Sequence, residues 1–167
     1  SDVISYDADD WYSDYDPANV SAIDLSAQSG NVTITKAGTY ELSGTLKGSV
    51  EINVGKNDTV RLILNNATIQ AKSGPAIIST QGEKLILSMP SGTKNAVSDG
   101  AYDSNGSGAD AAIFVQDDLT INGEGQLSVT SGYYDAIKTK DTLKLMSGSY
   151  VITAADDGIV GRDFIYV

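Results

Sequence analysis

The sequence predicts an all-β protein built as a parallel β-helix with coils of about 22–24 residues. In the stretch Ala112–Val167 a short phrase recurs, consisting of a small residue, Ile, three variable residues and Asp. Its isoleucines are Ile113, Ile137 and Ile159, which lie 24 and 22 residues apart. A fixed period of this length is typical of a repeat architecture. Apolar residues alternate with polar ones in short runs bounded by Gly, Asn and Asp, which is a strand-and-turn pattern, and no helical periodicity extends over two turns.

The first 19 residues differ from the rest of the chain. The segment SDVISYDADDWYSDYDPAN carries six aspartates and no basic residue, with aromatic side chains between them. A block of like charge usually forms a solvated segment, whereas the aromatic residues favour packing over the first coil. We therefore expect residues 1–19 to be an acidic leader or an N-terminal cap, and residues 20–167 to be the β-helix domain.

Short strands follow from Val20 to the C-terminus. Near Ala76-Ile77 a weaker copy of the repeat carries Gly82 where the other copies have Asp. Between Met89 and Asp110 one coil is enlarged by a loop rich in Gly, Ser, Asn and Asp. The leucine-rich-repeat frame is absent. A β-sandwich is the remaining alternative, although it does not explain why the isoleucines keep their register.

The last residues, Asp163–Val167, begin a new coil. An unfinished coil exposes unpaired backbone groups and an open core, which proteins normally cover. We therefore expect the domain to be truncated at this end, which further coils or a partner chain would cover.

Composition restricts the function. The chain has no cysteine and no histidine, and its 22 acidic residues against 11 basic ones give a net charge of −11. This charge argues against nucleic acid as a partner, because that affinity comes from Lys and Arg on phosphates. No apolar run approaches the length of about 20 residues that crosses a membrane, so we expect no membrane insertion. Aspartate in excess of glutamate, with 17 glycines, is typical of turn-rich β proteins and of proteins that bind Ca²⁺.

Stacked coils would place aspartates in columns about 4.8 Å apart. Aligning the repeats on their isoleucines gives one column of Asp117, Asp141 and Asp163, and two neighbouring columns that also contain Asp. Carboxylates this close repel one another unless a cation lies between them, so we predict Ca²⁺ sites; the alternative is that these side chains bond turn amides and face water. In the enlarged loop, Asn105 accompanies three further candidates. The predicted metal ligands are Asp99, Asp103, Asp110, Asp117, Asp135, Asp141, Asp156, Asp157 and Asp163.

A row of Gln116, Lys140 and Arg162 runs beside the first column. The two cations of this row, Lys140 and Arg162, either neutralise the aspartates, in surface ion pairs worth at most about 1 kcal/mol each, or contact a hydroxyl-rich or anionic polymer. Adjacent tyrosines would supply stacking platforms for sugar rings. The predicted saccharide-binding residues are Tyr133, Tyr134, Lys138, Lys140 and Arg162.

Residues 31–167 resemble a clostridial family of secreted carbohydrate-binding β-helix proteins. The phrases that carry the resemblance are AGTYELSGTLKGSVEINVGKNDTVRLILNNATI, GPAIIST, SGTKNAVSDGAYDS, AAIFVQDDLTINGEGQLSV, DAIKTKDTL and DDGIVGRDFI. The resemblance implies a right-handed parallel β-helix, bound calcium and a location outside the cell or on the bacterial surface. It also implies binding of plant cell-wall polysaccharide, such as polygalacturonate, pectin or cellulose, without catalysis. The chain departs from the family pattern at Gly82 and at Thr142.

Two other functions stay open. A calcium-dependent pectate-type lyase would need a base, and Arg162 beside Asp141 and Asp163 is the one arrangement that suggests one. A surface stalk or adhesin would use the same scaffold as a spacer. We favour the binding protein, with calcium or a basic patch offsetting the repulsion between an acidic chain and a polyuronate.

Overall fold

A computed structural model describes residues 5–12, 14–103 and 108–166. The described residues form three short 3₁₀ helices (Ala8–Asp10, Pro17–Asn19, Leu25–Ala27) and sixteen strands. No helix among them is long and apolar enough to cross a membrane. The strands are β1 Val20–Asp24, β2 Val32–Ile34, β3 Gly38–Lys47, β4 Val50–Asn53, β5 Thr59–Gln70, β6 Ile77–Gln81, β7 Lys84–Ser88, β8 Lys94–Ser98, β9 Ala111–Val115, β10 Asp118–Asn122, β11 Gln126–Ser131, β12 Asp135–Thr139, β13 Thr142–Leu145, β14 Ser149–Ala154, β15 Ile159–Val160 and β16 Asp163–Tyr166.

The strands form two parallel sheets. The larger has ten strands in the order β14-β11-β8-β5-β7-β10-β13-β16, with β3 also paired to β5 and β1 to β3. The smaller has six strands in the order β15-β12-β9-β6-β4-β2. In both sheets, all strand pairs with a defined register are parallel. This pairing is incompatible with the alternative of an antiparallel β-sandwich.

The prediction of a right-handed parallel β-helix with 22–24-residue coils is wrong. The parallel strands curl into a half-barrel of two sheets instead. The physical reason lies in β5, a continuous strand of 12 residues. Its first half pairs with β7 and its second half with β8, so two rows of strands that the repeat suggested as separate belong to one curled sheet. A sequence period gives the spacing of the strands but not whether neighbouring rows join.

The repeated isoleucines do lie in register. Ile137 pairs with Ile113 on one side and with Ile159 on the other, and Ile113 pairs with Ile77. Ile77, Ile113 and Ile137 are fully buried and pack in one hydrophobic core with leucines of the larger sheet, and the partly buried Ile159 packs against that core. This core lies between the two sheets, because period-2 alternation directs one side of every strand inward.

On the larger sheet the outward positions of β5, β7, β10 and β13 are also buried. They include the row Arg61, Ile86, Thr120 and Lys144, whose members pair across neighbouring strands. They are covered by the described part of residues 5–16, which we call the acidic strap: the Asp10 side chain there is fully buried and contacts Lys144.

Candidate functional site

A groove of about 760 Å³ lies against the smaller sheet, on the side away from the core. Residues from four parts of the chain form its walls. They are Glu51, Ser73, Gly74, Pro75, Tyr102, Asp103, Gly108, Ala109, Asp110 and Tyr134. The groove thus combines aromatic and carboxylate side chains over a volume that accommodates a small ligand or a few sugar units.

Three tyrosines cluster at the groove. The Tyr102 ring meets Tyr134 edge to face at 4.8 Å between ring centroids and Tyr133 at 5.8 Å. Tyr133 is 50% exposed and Tyr134 43% exposed. Large aromatic rings left this accessible beside a groove are the groups on which sugar rings stack.

Ser131 and Asp99 position these tyrosines. The Ser131 hydroxyl accepts hydrogen bonds from the backbone N–H groups of Tyr133 (3.3 Å) and Tyr134 (2.9 Å), and it donates to the Asp99 carboxylate. The Tyr102 hydroxyl donates to the same carboxylate at 2.7 Å. Burial and the neighbouring Asp99 raise the pKa of Tyr102, so it stays a neutral donor. The aromatic cluster is therefore held by one buried polar hub.

The loop that carries Tyr102 is anchored on the outward face of the smaller sheet. There Ala109 and Ala111 pack with Phe114 and Ile78 in a small second hydrophobic cluster. Phe114 pairs with Ile78 on one side and with Lys138 on the other. Lys138 in turn donates to the Asp110 carboxylate at 2.9 Å. The groove is thus built from a sheet face and a loop packed onto it.

Three predicted metal ligands converge near the groove. Carboxylate oxygens of Asp135, Asp156 and Asp157 lie within 4.8 Å of one another, and we call this group the acidic triad. The Asp135 N–H donates to the Asp110 carbonyl, and the Asp156 N–H donates to the Tyr134 carbonyl, so the triad adjoins the groove. Oxygen ligands of one Ca²⁺ lie at 2.3–2.6 Å from the ion and hence within about 5 Å of one another, so the triad fits this cation.

Asp135 is the buried member of the triad. Burial raises the pKa of its carboxyl, the Asp157 N–H lowers it by donating to Oδ1 at 2.9 Å, and the charge of Asp156 raises it again. The net pKa shift is upward. Asp135 is therefore a carboxylate whose charge a cation would stabilise.

The other predicted metal ligands do not join this group. Both oxygens of Asp99 accept hydrogen bonds from the protein. Asp110 pairs with Lys138, and Asp103 lines the groove. Asn105 lies outside the described residues. The described residues of the enlarged loop from Tyr102 to Asp110 thus form a wall of the groove.

The predicted column of Asp117, Asp141 and Asp163 is displaced by one residue at its last member. Asp163 pairs with Thr142, and Arg162 lies beside Asp141, with its guanidinium 3.6 Å from the Asp141 carboxylate and also 3.6 Å from that of Asp163. The Arg162 guanidinium thus pairs with two of the carboxylates that were predicted to bind a metal. Asp117 is partly buried, which raises the pKa of its carboxyl; a hydrogen bond from the Gly82 backbone lowers it, and the Asp141 charge raises it.

The predicted saccharide-binding residues lie in two places. Tyr134 lines the groove, Tyr133 contacts the Tyr102 ring, and Lys138 pairs with a groove carboxylate. Lys140 follows β12 and is exposed, and Arg162 pairs with Asp141 and Asp163 beyond the end of β15. The five residues therefore do not form one surface.

Sequence reasoning missed Tyr102 and Glu51 as groove residues. Tyr102 stands alone in a loop of small polar residues, which was the one available signal. Glu51 is an exposed residue of β4 with nothing distinctive in its sequence context. Its place in the groove follows only from the residues that lie near it in the fold.

The chain is thus an all-β protein of two parallel sheets that carries exposed tyrosines and carboxylates at an open groove. The sequence model of a family described as carbohydrate-binding domain-containing protein matches residues 28–167, and the chain belongs to that family. This match confirms the prediction that the chain belongs to a carbohydrate-binding family. The chain is similar, with 32% identity over 148 residues, to a carbohydrate-binding domain-containing protein of Acetivibrio thermocellus. That alignment covers 84% of this chain and 51% of the relative, so the chain spans about half the relative's length.

One solved structure is similar over most of the fold. It is the gadolinium derivative of a polysaccharide lyase-like protein from C. thermocellum, with a TM-score of 0.74 and 26% identity. The match covers 86% of this chain and 73% of that one.

Proposed function

We propose that this chain binds polysaccharide, without cleaving it, in the groove lined by Tyr102 and Tyr134. The observation that carries the proposal is the accessible tyrosine cluster beside an open groove, in a chain of a carbohydrate-binding family. The polar hub around Ser131 holds the rings in place before a ligand arrives, which reduces the entropy cost of binding. Carboxylates in the same groove supply acceptors for sugar hydroxyl groups.

The proposed ligands are plant cell-wall polysaccharides, namely polygalacturonate or pectin and also cellulose, and we place the protein outside the cell or on its surface. Neutral chains need only stacking and hydrogen bonds. A uronate would meet the Glu51, Asp103 and Asp110 side chains, so its binding needs a compensating positive charge.

Calcium at the acidic triad would supply that charge. The carboxylates of Asp135, Asp156 and Asp157 would hold it, and Ca²⁺ there would offset both their mutual repulsion and that of a uronate. A gadolinium ion is likewise a hard cation that takes oxygen ligands, and the similar C. thermocellum protein was solved as its gadolinium derivative. The support from this chain is the spacing of the three carboxylates and the raised pKa of Asp135.

Tyr134→Ala tests the groove. Loss of one stacking ring should weaken binding of cellohexaose and of polygalacturonate by about tenfold, as measured by calorimetry. Tyr166→Ala is the matched control, because it removes another exposed tyrosine, on β16. Equal affinities for Tyr134→Ala and the unaltered protein would rule the groove out.

EDTA tests the calcium. We expect chelation to weaken polygalacturonate binding and leave cellohexaose binding unchanged, and to lower the melting temperature of the unaltered protein but not of Asp135→Asn. Unchanged polygalacturonate affinity in EDTA would contradict the role of calcium.

A lyase is the second candidate, favoured by the similarity to a polysaccharide lyase-like protein. Arg162 would be its base, yet its guanidinium is already engaged in ion pairs with Asp141 and Asp163, each at 3.6 Å. We therefore expect no unsaturated product from polygalacturonate with Ca²⁺. Product formation that disappears in Arg162→Ala would establish the lyase instead.

A further inference from the structure

The acidic strap covers a cationic face of the larger sheet. Beneath it lie Arg61, Lys84 and Lys144, each less than 10% exposed, on β5, β7 and β13, with β10 between the last two strands. Three basic side chains in one small area stand out in a chain with only 11 basic residues against 22 acidic ones. Hydroxyl and amide side chains lie between them, so the face offers both charged and neutral hydrogen-bond donors.

The strap contacts this face through its carboxylates. The Lys84 ammonium contacts Asp7 at 3.0 Å, Asp9 at 2.7 Å and Asp10 at 2.9 Å. The Lys144 ammonium contacts Asp10 at 2.7 Å. Three acidic side chains on and next to one 3₁₀ turn thus converge on two cations.

Neutral contacts complete the pattern. The Thr120 hydroxyl donates to the Asp10 carboxylate at 2.7 Å, and the Asn122 amide donates to the Asp10 carbonyl at 2.9 Å. Arg61 donates to the carbonyls of Asp9 and Asp14 at 3.0 and 3.1 Å, and its guanidinium lies 5.4 Å from the centroid of the Tyr15 ring. The face therefore binds an acidic segment by its carboxylates and its carbonyl oxygens together.

We propose that this face is a second binding site, for an acidic polysaccharide such as an oligouronate, and that the acidic strap is its built-in competitor. A uronate chain presents the two kinds of group that the strap presents, because it carries carboxylates at regular spacing and neutral oxygens between them. The choice of a polysaccharide over another polyanion rests on the carbohydrate-binding family and not on the tyrosine groove. The family match begins at residue 28, so the strap lies outside the part that the family shares.

Loosening the strap tests the proposal in the full chain. Asp7→Asn/Asp9→Asn removes two partly exposed carboxylates and leaves the buried Asp10 anchor in place. We expect this variant to bind tetragalacturonate about tenfold more tightly, since the two lost ion pairs to Lys84 help to hold the strap closed.

The matched control is Asp16→Asn/Asp24→Asn, which changes the net charge equally. Those side chains are exposed and accept hydrogen bonds from nearby backbone N–H groups, which Asn also allows. Tetragalacturonate binding no tighter in the strap variant than in this control would overturn the proposal and make the strap a purely structural cover. Melting curves of both variants verify that they are folded.

Two further arms separate this site from the tyrosine groove and from other polyanions. The gain in affinity should persist when Tyr134→Ala is added, and it should be absent for uncharged cellotetraose. Loss of the gain with Tyr134→Ala would place the uronate in the groove and refute the second site, leaving the proposed function intact. A tetra-aspartate peptide that binds the strap variant as tightly as tetragalacturonate would refute the assignment to a polysaccharide.

Discussion

The outward faces of the two sheets show how similar strands can serve different purposes. On the larger sheet, outward cations such as Lys84 and Lys144 are buried beneath the acidic strap. On the smaller sheet, the outward row Glu51, Ile78 and Phe114 continues to Lys138, and a loop packs over only part of it. The first face is closed by charge pairing and the second stays open as a groove. The difference shows that what covers a sheet face, rather than the sheet itself, decides whether it is available to ligands.

The largest expected effect is on the closed face. Asp10→Ala removes the carboxylate shared by Lys84, Lys144 and Thr120, and leaves two buried ammonium groups with fewer partners. We expect the free energy of unfolding to fall by about 3–5 kcal/mol, measured by urea denaturation. Asp14→Ala, an exposed position of the same strap, should cost less than about 1 kcal/mol. Similar losses for both variants would show that Asp10 does not hold the strap.

The closed face should also weaken in acid. Burial by itself raises the pKa of Asp10, but hydrogen bonds from Lys144, the Asp7 backbone, Thr120 and Lys84 together outweigh it and lower the pKa to about 2 from 3.8. Because the folded-state pKa is depressed, the stabilisation is present above pH 3.8 and is lost as the pH falls towards 2; this corresponds to about 2 kcal/mol.

The comparison of the unaltered protein with Asp10→Asn isolates this effect. The difference between their unfolding free energies should shrink by that amount between pH 5 and pH 2. Partly buried Asp117 and Asp118 have raised pKa values and act in the opposite direction, above pH 3.8, but they do so in both proteins. A constant difference across this range would contradict the assignment of the acid sensitivity to Asp10.

On the open face, Ser131→Ala should loosen the tyrosine cluster. The substitution removes the acceptor for the Tyr133 and Tyr134 N–H groups and one donor to Asp99. We expect a loss of about 1–3 kcal/mol in stability and a weaker affinity for cellohexaose. Ser128→Ala, on the same strand and partly exposed, is the control and should change neither. Unchanged sugar affinity in Ser131→Ala would mean that the hub does not position the rings.

The smallest effect, and one of opposite sign, is expected at the acidic triad. The raised pKa of Asp135 means that its negative charge is less favourable in the folded state than in the unfolded chain. In EDTA, Asp135→Asn should therefore raise the free energy of unfolding by less than about 1 kcal/mol. The melting temperature should rise slightly with it. Added Ca²⁺ should stabilise the unaltered protein and not the variant. A variant that melts lower than the unaltered protein in EDTA would contradict this account of the triad.

Several site features were predictable from the sequence and others were not. The stacking of Asp135 next to Asp157 followed from the repeat, because Ile137 and Ile159 pair as their spacing predicts. Asp163 did not follow it, since β13 and β16 pair with a register in which Asp163 lies opposite Thr142. A repeat that shortens by two residues can keep the register of one strand and shift that of the next.

The sequence by itself determined the all-β class, the parallel in-register isoleucines and the carbohydrate-binding family, because these depend on period, alternation and recurring phrases along the chain. Only the tertiary structure decided that the strands curl into two sheets instead of a regular helix, that Tyr102 joins Tyr134, and that the acidic strap closes over Lys84 and Lys144. Each of these joins residues about 30 to 130 positions apart. Such contacts depend on how the sheet bends and on what packs against it, and neither can be predicted from a local pattern of residue types.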